Sequence, residues 1–189
     1  MADGDSITAG TYLSTSQRYP DVALSTMSVY NQYRNVAENA VNSANRLSNI
    51  TANTAIFAQW NGPKVYSIMV GTNDITQGVA DATIYANIQS ICSAVVSQGA
   101  NVVVFTLLPS AFVPPTGTFE THRQAINTLI RNGGTCPYVV ADAGNDATIG
   151  QAGQNSNTTY YTDGTHPTAA GMAIIATYEK TATIAQGLI

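Results

Sequence analysis

Two runs of the chain are almost continuously apolar, Lys64 to Val70 and Asn101 to Leu107, and each is followed by a stretch in which apolar residues recur at helical spacing. Runs of that kind suit strands buried on both faces of a parallel sheet. Val79 to Ser97 carries Ile84, Ile88, Ile91 and Val95 on one helical face. Phe119 to Asn132 repeats the pattern with Ala125, Ile126, Leu129 and Ile130, and Gly133-Gly134 ends it. A last helix is predicted from about Thr168 to Gln186, opening after Pro167 and burying Ala169, Met172, Ile175 and Ala176. Weaker strands are read at Met27 to Tyr30 and Tyr138 to Ala141. Alternating strands and helices predict an α/β fold with helices on both faces of the sheet. Loop formers gather in Pro109 to Thr118 and Gly144 to Asp163. The second loop is long for a compact domain unless it is functional, which predicts that it lines a substrate site.

At 189 residues, 44% of them hydrophobic, the chain suits one domain with a substantial core. Only 10% of residues are charged and the net charge is −4, so the surface is polar but nearly uncharged. No Lys/Arg cluster is present to release counterions from a nucleic acid, which excludes that class of partner. No apolar run approaches the length of a membrane span, and no signal peptide is read at the start. Cys92 and Cys136 are either a disulfide or two free thiols; Cys92, in a helical apolar pattern, reads as a small core residue. No Cys/His cluster has metal spacing, so no metal and no cofactor are expected. Low lysine content and the Asn-X-Thr sequons at Asn49 and Asn157 lean toward an extracellular or particle-surface setting. A monomer is expected, because no exposed apolar stripe is evident.

Gly4-Asp5-Ser6-Ile7-Thr8 reads as a strand end turning into a helix, in which Ser6 is either a nucleophile or a helix cap. Gly71-Thr72-Asn73-Asp74 follows the strongest strand and places Asn73 at a carboxyl end, where open α/β sheets hold ligands. Asn73 could donate an N–H to an oxyanion or simply cap a helix, and Asp74 reads as the cap of the next helix. Asp163-Gly-Thr-His166-Pro puts a carboxylate and an imidazole three positions apart, which suits either an oriented general base or a hydrogen-bonded turn. The chain has two histidines, and His122, between Glu120 and Arg123, reads as solvated surface. The order serine, aspartate, histidine is one of several that a catalytic triad can take along a chain.

Together these blocks resemble the SGNH/GDSL hydrolases, small serine esterases and lipases, over nearly the whole chain from Gly4 to Pro167. The resemblance implies one domain over residues 1–189, a three-layer α/β/α sandwich of flavodoxin-like type with a parallel sheet of about five strands. It implies Ser6 as nucleophile, His166 as general base and then acid, and Asp163 as the orienting carboxylate. It further implies an oxyanion hole from the Ser6 backbone N–H, the Asn73 side chain and a backbone N–H in the block Asn35-Val36-Ala37-Glu38-Asn39-Ala40. Ala40 stands where the family has glycine. Alanine supplies the same N–H but resists positive φ, so Asn39 is the alternative donor if the register slips by one. The family's first strand is central, yet only Met1-Ala2-Asp3 precede Gly4, which predicts a chain trimmed or cut from a longer protein.

The expected activity is hydrolysis of a short acyl ester, acetyl, of a polar or carbohydrate alcohol through an acyl-enzyme on Ser6. Tyr160 and Tyr161 are read as a platform for the substrate or, equally, as packing anchors. The rivals are a catalytically weak carbohydrate-binding or adhesion module and an acyltransferase using the same triad.

Overall fold

The computed structural model describes residues 1–27 and 32–187. Four strands, β1 (Ala2–Gly4), β2 (Val65–Met69), β3 (Asn101–Phe105) and β4 (Val139–Ala141), form one parallel sheet in the order β1-β2-β3-β4. In β3, four consecutive residues, Val102 to Phe105, are buried, as a strand covered on both faces requires. About five strands were expected, and among the described residues the fifth position, beside β1, holds a single parallel bridge, Ala2 to Asn35. The predicted strand at Met27 to Tyr30 lies, from Ser28 onward, outside the described residues.

Seven helices are described: α1 (Ser6–Ala9), α2 (Tyr19–Ser25), α3 (Ser43–Ala58), α4 (Thr72–Thr76), α5 (Asp81–Val96), α6 (Phe119–Asn132) and α7 (Ala169–Ala185). The helix α2 packs on α7, while α3 packs on α5 and α5 on α6, giving the two outer layers. The predicted face of α5 is the buried one, with Ile84, Ile88, Ile91 and Val95 all in the core. In α7 the expected Met172, Ile175 and Ala176 are buried, Thr168 is the N-cap, and Ala169 is only half-buried.

The buried face of α6 departs from its apolar pattern. Arg123 and Asn127 are buried beside Ile126 and Ile130, whereas Ala125 is exposed. The reason is backbone chemistry at the end of β3. Asn127 accepts the Leu107 N–H at 2.6 Å and donates to its carbonyl at 2.9 Å, pairing with that residue as a neighbouring strand would. Arg123 donates to the carbonyls of Leu107 and Gly144 and is neutralised by Glu120. His122 is half-buried rather than solvated: it pairs with Asp81 at 2.8 Å through Nδ1 and donates from Nε2 to the Thr116 carbonyl.

Cys92 of α5 and Cys136, just before β4, form a disulfide. Cys92 is therefore both a core residue and half of a cross-link, because α5 packs where the chain enters β4. The bridge closes a loop with a sequence separation of 44. Cys92→Ser with Cys136→Ser is expected to cost about 4 kcal/mol of stability on the loop-entropy account. For a chain of this size that lowers Tm by roughly 10 °C, which thermal unfolding with and without reductant checks.

Candidate active site

The carboxyl ends of the strands bring three distant blocks together. Gly4 ends β1 with φ +153°, and a Cβ there would collide with the Met69 carbonyl and the Thr8 hydroxyl. Only glycine lets the chain turn this tightly from strand into α1. Asp5 caps α1 through the Ile7 N–H, so Ser6 begins the helix as its first residue and not as its cap. The Ser6 Oγ lies 2.9 Å from Nε2 of His166, across 160 positions of sequence.

Asp163 accepts from Nδ1 of His166 at 2.7 Å through Oδ2, and through Oδ1 from the backbone N–H groups of Thr165 and His166. With Nδ1–H held by the carboxylate, Nε2 is left to accept the serine proton. Burial pushes the Asp163 carboxyl up, but the His166 and Thr165 donors outweigh it and hold the group below the usual carboxylate range. The turn is stapled at its base by Thr162 N–H to His166 O and Thr168 N–H to Tyr160 O. Ala111 N–H to Gly164 O and the Ser110 to Thr165 hydroxyl contact tie it to the loop after β3.

Asn73, second residue of α4, donates to the Val41 carbonyl at 2.8 Å, which leaves its other amide hydrogen for the cleft. Asp74 does not cap the next helix. It is buried and accepts from the backbone and hydroxyl of Ser43, serving the orphan N-terminus of α3 instead. These two contacts fasten α4 to the segment that follows Ala40.

Ala40 takes φ +60°, in the left-handed region that alanine resists, and both Ala40 and Asn39 line the cleft. The side chain of Asn35 holds the block to α1 by donating to the Thr8 carbonyl, and Glu38 N–H donates to Gly4 O. Arg46, paired with the buried Asp3, donates to the Val36 carbonyl and to Glu38 from the other side. Among the described residues no acceptor takes the N–H of Ser6 or Ala40. Ser6 N–H, Ala40 N–H and Asn73 Nδ2 are thus three donors at one cleft.

The cleft is open, about 230 Å³, and lined by Ser6, Thr11, Asn39, Ala40, Asn73, Phe112 and His166. Asn39 lies at its edge and accepts from Thr11 Oγ1. Neither expected platform tyrosine reaches it. Tyr161 is 1% exposed with its hydroxyl on the Ile149 carbonyl, and Tyr160 packs half-buried on the core. The loop Gly144 to Asp163 contributes no lining residue before His166. It folds into 3₁₀ turns at Ala143–Asn145 and Gln154–Ser156 and is braced by Tyr178 on Asp146. Phe112 lines the cleft, and Tyr12, next to the lining residue Thr11, meets the ring of His166 edge-on at 5.5 Å. Tyr12 lies just beyond the Gly10 cap of α1, and nothing in the hydrophobic pattern marks it.

Two consequences are testable. Ala40→Gly relieves a left-handed alanine while keeping the N–H, and is expected to stabilise by up to about 1 kcal/mol in urea unfolding without loss of the site. Burial pushes the Asp5 carboxyl up to about 7, against the pull of the Ile7 N–H and with a further push from the Asp74 carboxylate. A folded pKa above the unfolded one gives stability that is complete at acidic pH and lost as pH rises toward 7. Asp5→Asn keeps an acceptor for Ile7 but does not titrate. Relative to it, the wild type is expected to lose on the order of 1–3 kcal/mol between about pH 5 and pH 8, measured by urea unfolding at each pH.

The comparisons with known proteins agree with this fold. A structure of a lipolytic G-D-S-L family member from Veillonella parvula superposes with a TM-score of 0.77 at 18% identity, covering 97% of this chain and 96% of that one. A GDSL-like lipase from Bacteroides thetaiotaomicron gives 0.75 at 20% identity, covering 99% and 87%. The psychrotrophic esterase EstA from a Pseudoalteromonas species gives 0.71 at 12% identity, covering 98% and 97%. No curated protein sequence matches the chain. The model of the GDSL-like Lipase/Acylhydrolase family matches residues 2–174. The chain belongs to that family and is a carboxylic ester hydrolase.

Proposed function

We propose that the protein hydrolyses short acyl esters, acetyl esters first among them, of a polar or carbohydrate alcohol, with Ser6 as nucleophile. The observation that carries this reading is the Ser6–His166–Asp163 relay at 2.9 and 2.7 Å, opening on a small cleft with three unspent donors. Ser6 Oγ forms a bond to the ester carbonyl carbon while its proton passes to Nε2 of His166. The carbonyl oxygen, now an anion, takes the N–H groups of Ser6 and Ala40 and the free amide hydrogen of Asn73. Collapse breaks the bond to the alcohol, whose oxygen leaves with the proton from Nε2. Water then adds to the acyl-enzyme by the same route in reverse, releasing the acid and free Ser6.

A cleft of about 230 Å³ is smaller than the usual pocket for a drug-sized ligand, which favours an acyl group of few carbons. The assembled relay weighs against a binding module without catalysis. The disulfide supports the lean toward an oxidising extracellular or particle-surface setting.

A fluorophosphonate probe is expected to label Ser6, located by mass spectrometry. Ser6→Ala and His166→Ala are expected to lose at least about 10³-fold in kcat/KM on p-nitrophenyl acetate, and Asp163→Asn up to about 10⁴-fold. Labelling at another serine, or full turnover by Ser6→Ala, overturns the mechanism. A kcat/KM higher for the octanoate than for the acetate overturns the short-chain reading.

A further inference from the structure

Tyr12 places a bulky ring at a turn position that glycine ordinarily fills. Its φ is +71°, in the left-handed region that a bulky side chain ordinarily avoids. Burial does not explain the strain, because Tyr12 is 69% exposed. The turn accounts for the positive φ, since the Leu13 N–H donates to the Gly10 carbonyl across Tyr12, but it does not call for a ring. A strained residue that displays a large aromatic ring to solvent is a feature of sites more than of scaffolds.

The place of the ring says which part of a substrate it would meet. Tyr12 contacts the imidazole of His166 edge-on, with planes at 85°. In the reaction set out above, Nε2 of His166 delivers a proton to the departing alcohol oxygen, so the alcohol must lie beside His166. The oxyanion donors at Ala40 and Asn73 line the same cleft, and neither is in ring contact with Tyr12 as His166 is. The lining of the cleft holds no Lys, Arg, Asp or Glu, which suits an uncharged alcohol. A phenol ring offers an apolar face and a polar tip. A sugar ring matches it, with C–H groups on one face and hydroxyls around the rim.

We propose that Tyr12 is the platform on which the alcohol portion of the ester, a carbohydrate ring, stacks. This inference rests on the reading of Ser6 and His166 as nucleophile and base. It makes Tyr12 a specificity residue, with no part in bond making.

The test compares wild type, Tyr12→Ala, Tyr12→Phe and Tyr12→Trp on an acetylated xylo-oligosaccharide and on ethyl acetate, whose alcohol has no ring. Tyr12→Ala is expected to lose about tenfold in kcat/KM on the acetylated sugar, mostly through KM, as for one lost stacking contact. On ethyl acetate, where no ring stacks, the loss is expected to be several-fold smaller than on the sugar. Phe and Trp, which keep a ring, are expected to restore most of the sugar activity. Equal losses on both esters would mean that Tyr12 only steadies His166, and no loss on the sugar would mean no platform; either result overturns the proposal. Calorimetric titration of Ser6→Ala with the same acetylated sugar separates binding from catalysis. Adding Tyr12→Ala is expected to weaken that binding about tenfold, and unchanged or absent binding overturns the platform. Failure of the wild type on every ester, with sugar binding by Ser6→Ala intact and dependent on Tyr12, overturns the hydrolase reading alone.

Discussion

The three-residue strand β1 is the constraint on which the site depends. It pairs Ala2, Asp3 and Gly4 with Ser67, Ile68 and Met69 of β2, and on its other edge exchanges backbone bonds with the segment 34–38. A slip of one residue would turn every side chain to the opposite face and carry Ser6 away from His166. So short a ladder supplies few hydrogen bonds of its own. Side chains reinforce it: Asp3, buried in the second position, is held by Arg46 and by the hydroxyl of Tyr66. Arg46 reaches past Asp3 to the backbone of Val36, so one guanidinium fixes both the strand that leads to Ser6 and the block that ends in Ala40.

The other two blocks are fixed by the same means, polar side chains bonded to backbone. Asp74 and Asn73 sew α4 to residues 41–43, and Asn127 and Arg123 fix the chain as it leaves β3. The buried Asp74, Asn127 and Arg123 each answer a backbone group that would otherwise be left unpaired. The apolar core holds the layers together, while these groups set the positions of the loops on top.

That division explains what could be read from the sequence. The strands β2 and β3 and the face of α5 were legible because burial on both sides leaves an unbroken apolar run and one-sided burial leaves a helical period. The blocks around Ser6, Asn73 and His166 were legible because the chemistry needs particular side chains at particular strand ends. Arg123 and Asn127 were not, since a polar residue buried against backbone looks the same in a hydrophobic pattern as one in water. The Cys92–Cys136 bridge depends on how α5 meets the entry to β4, a tertiary fact with no local signature. Tyr160 and Tyr161 were chosen for nearness in sequence to Asp163, but a turn stapled by backbone bonds points Tyr161 into the core and leaves Tyr12, far away in sequence, beside His166.

The openness of the cleft governs what the acyl-enzyme meets next. Among the described residues the cleft that Ser6 lines is open to solvent, so bulk water would reach the ester carbon as soon as the alcohol departs. Any second alcohol must compete with solvent by residence time alone. Turnover would then end in free acid by default, and synthesis of a new ester would require an acceptor that stays on the surface longer than water takes to attack.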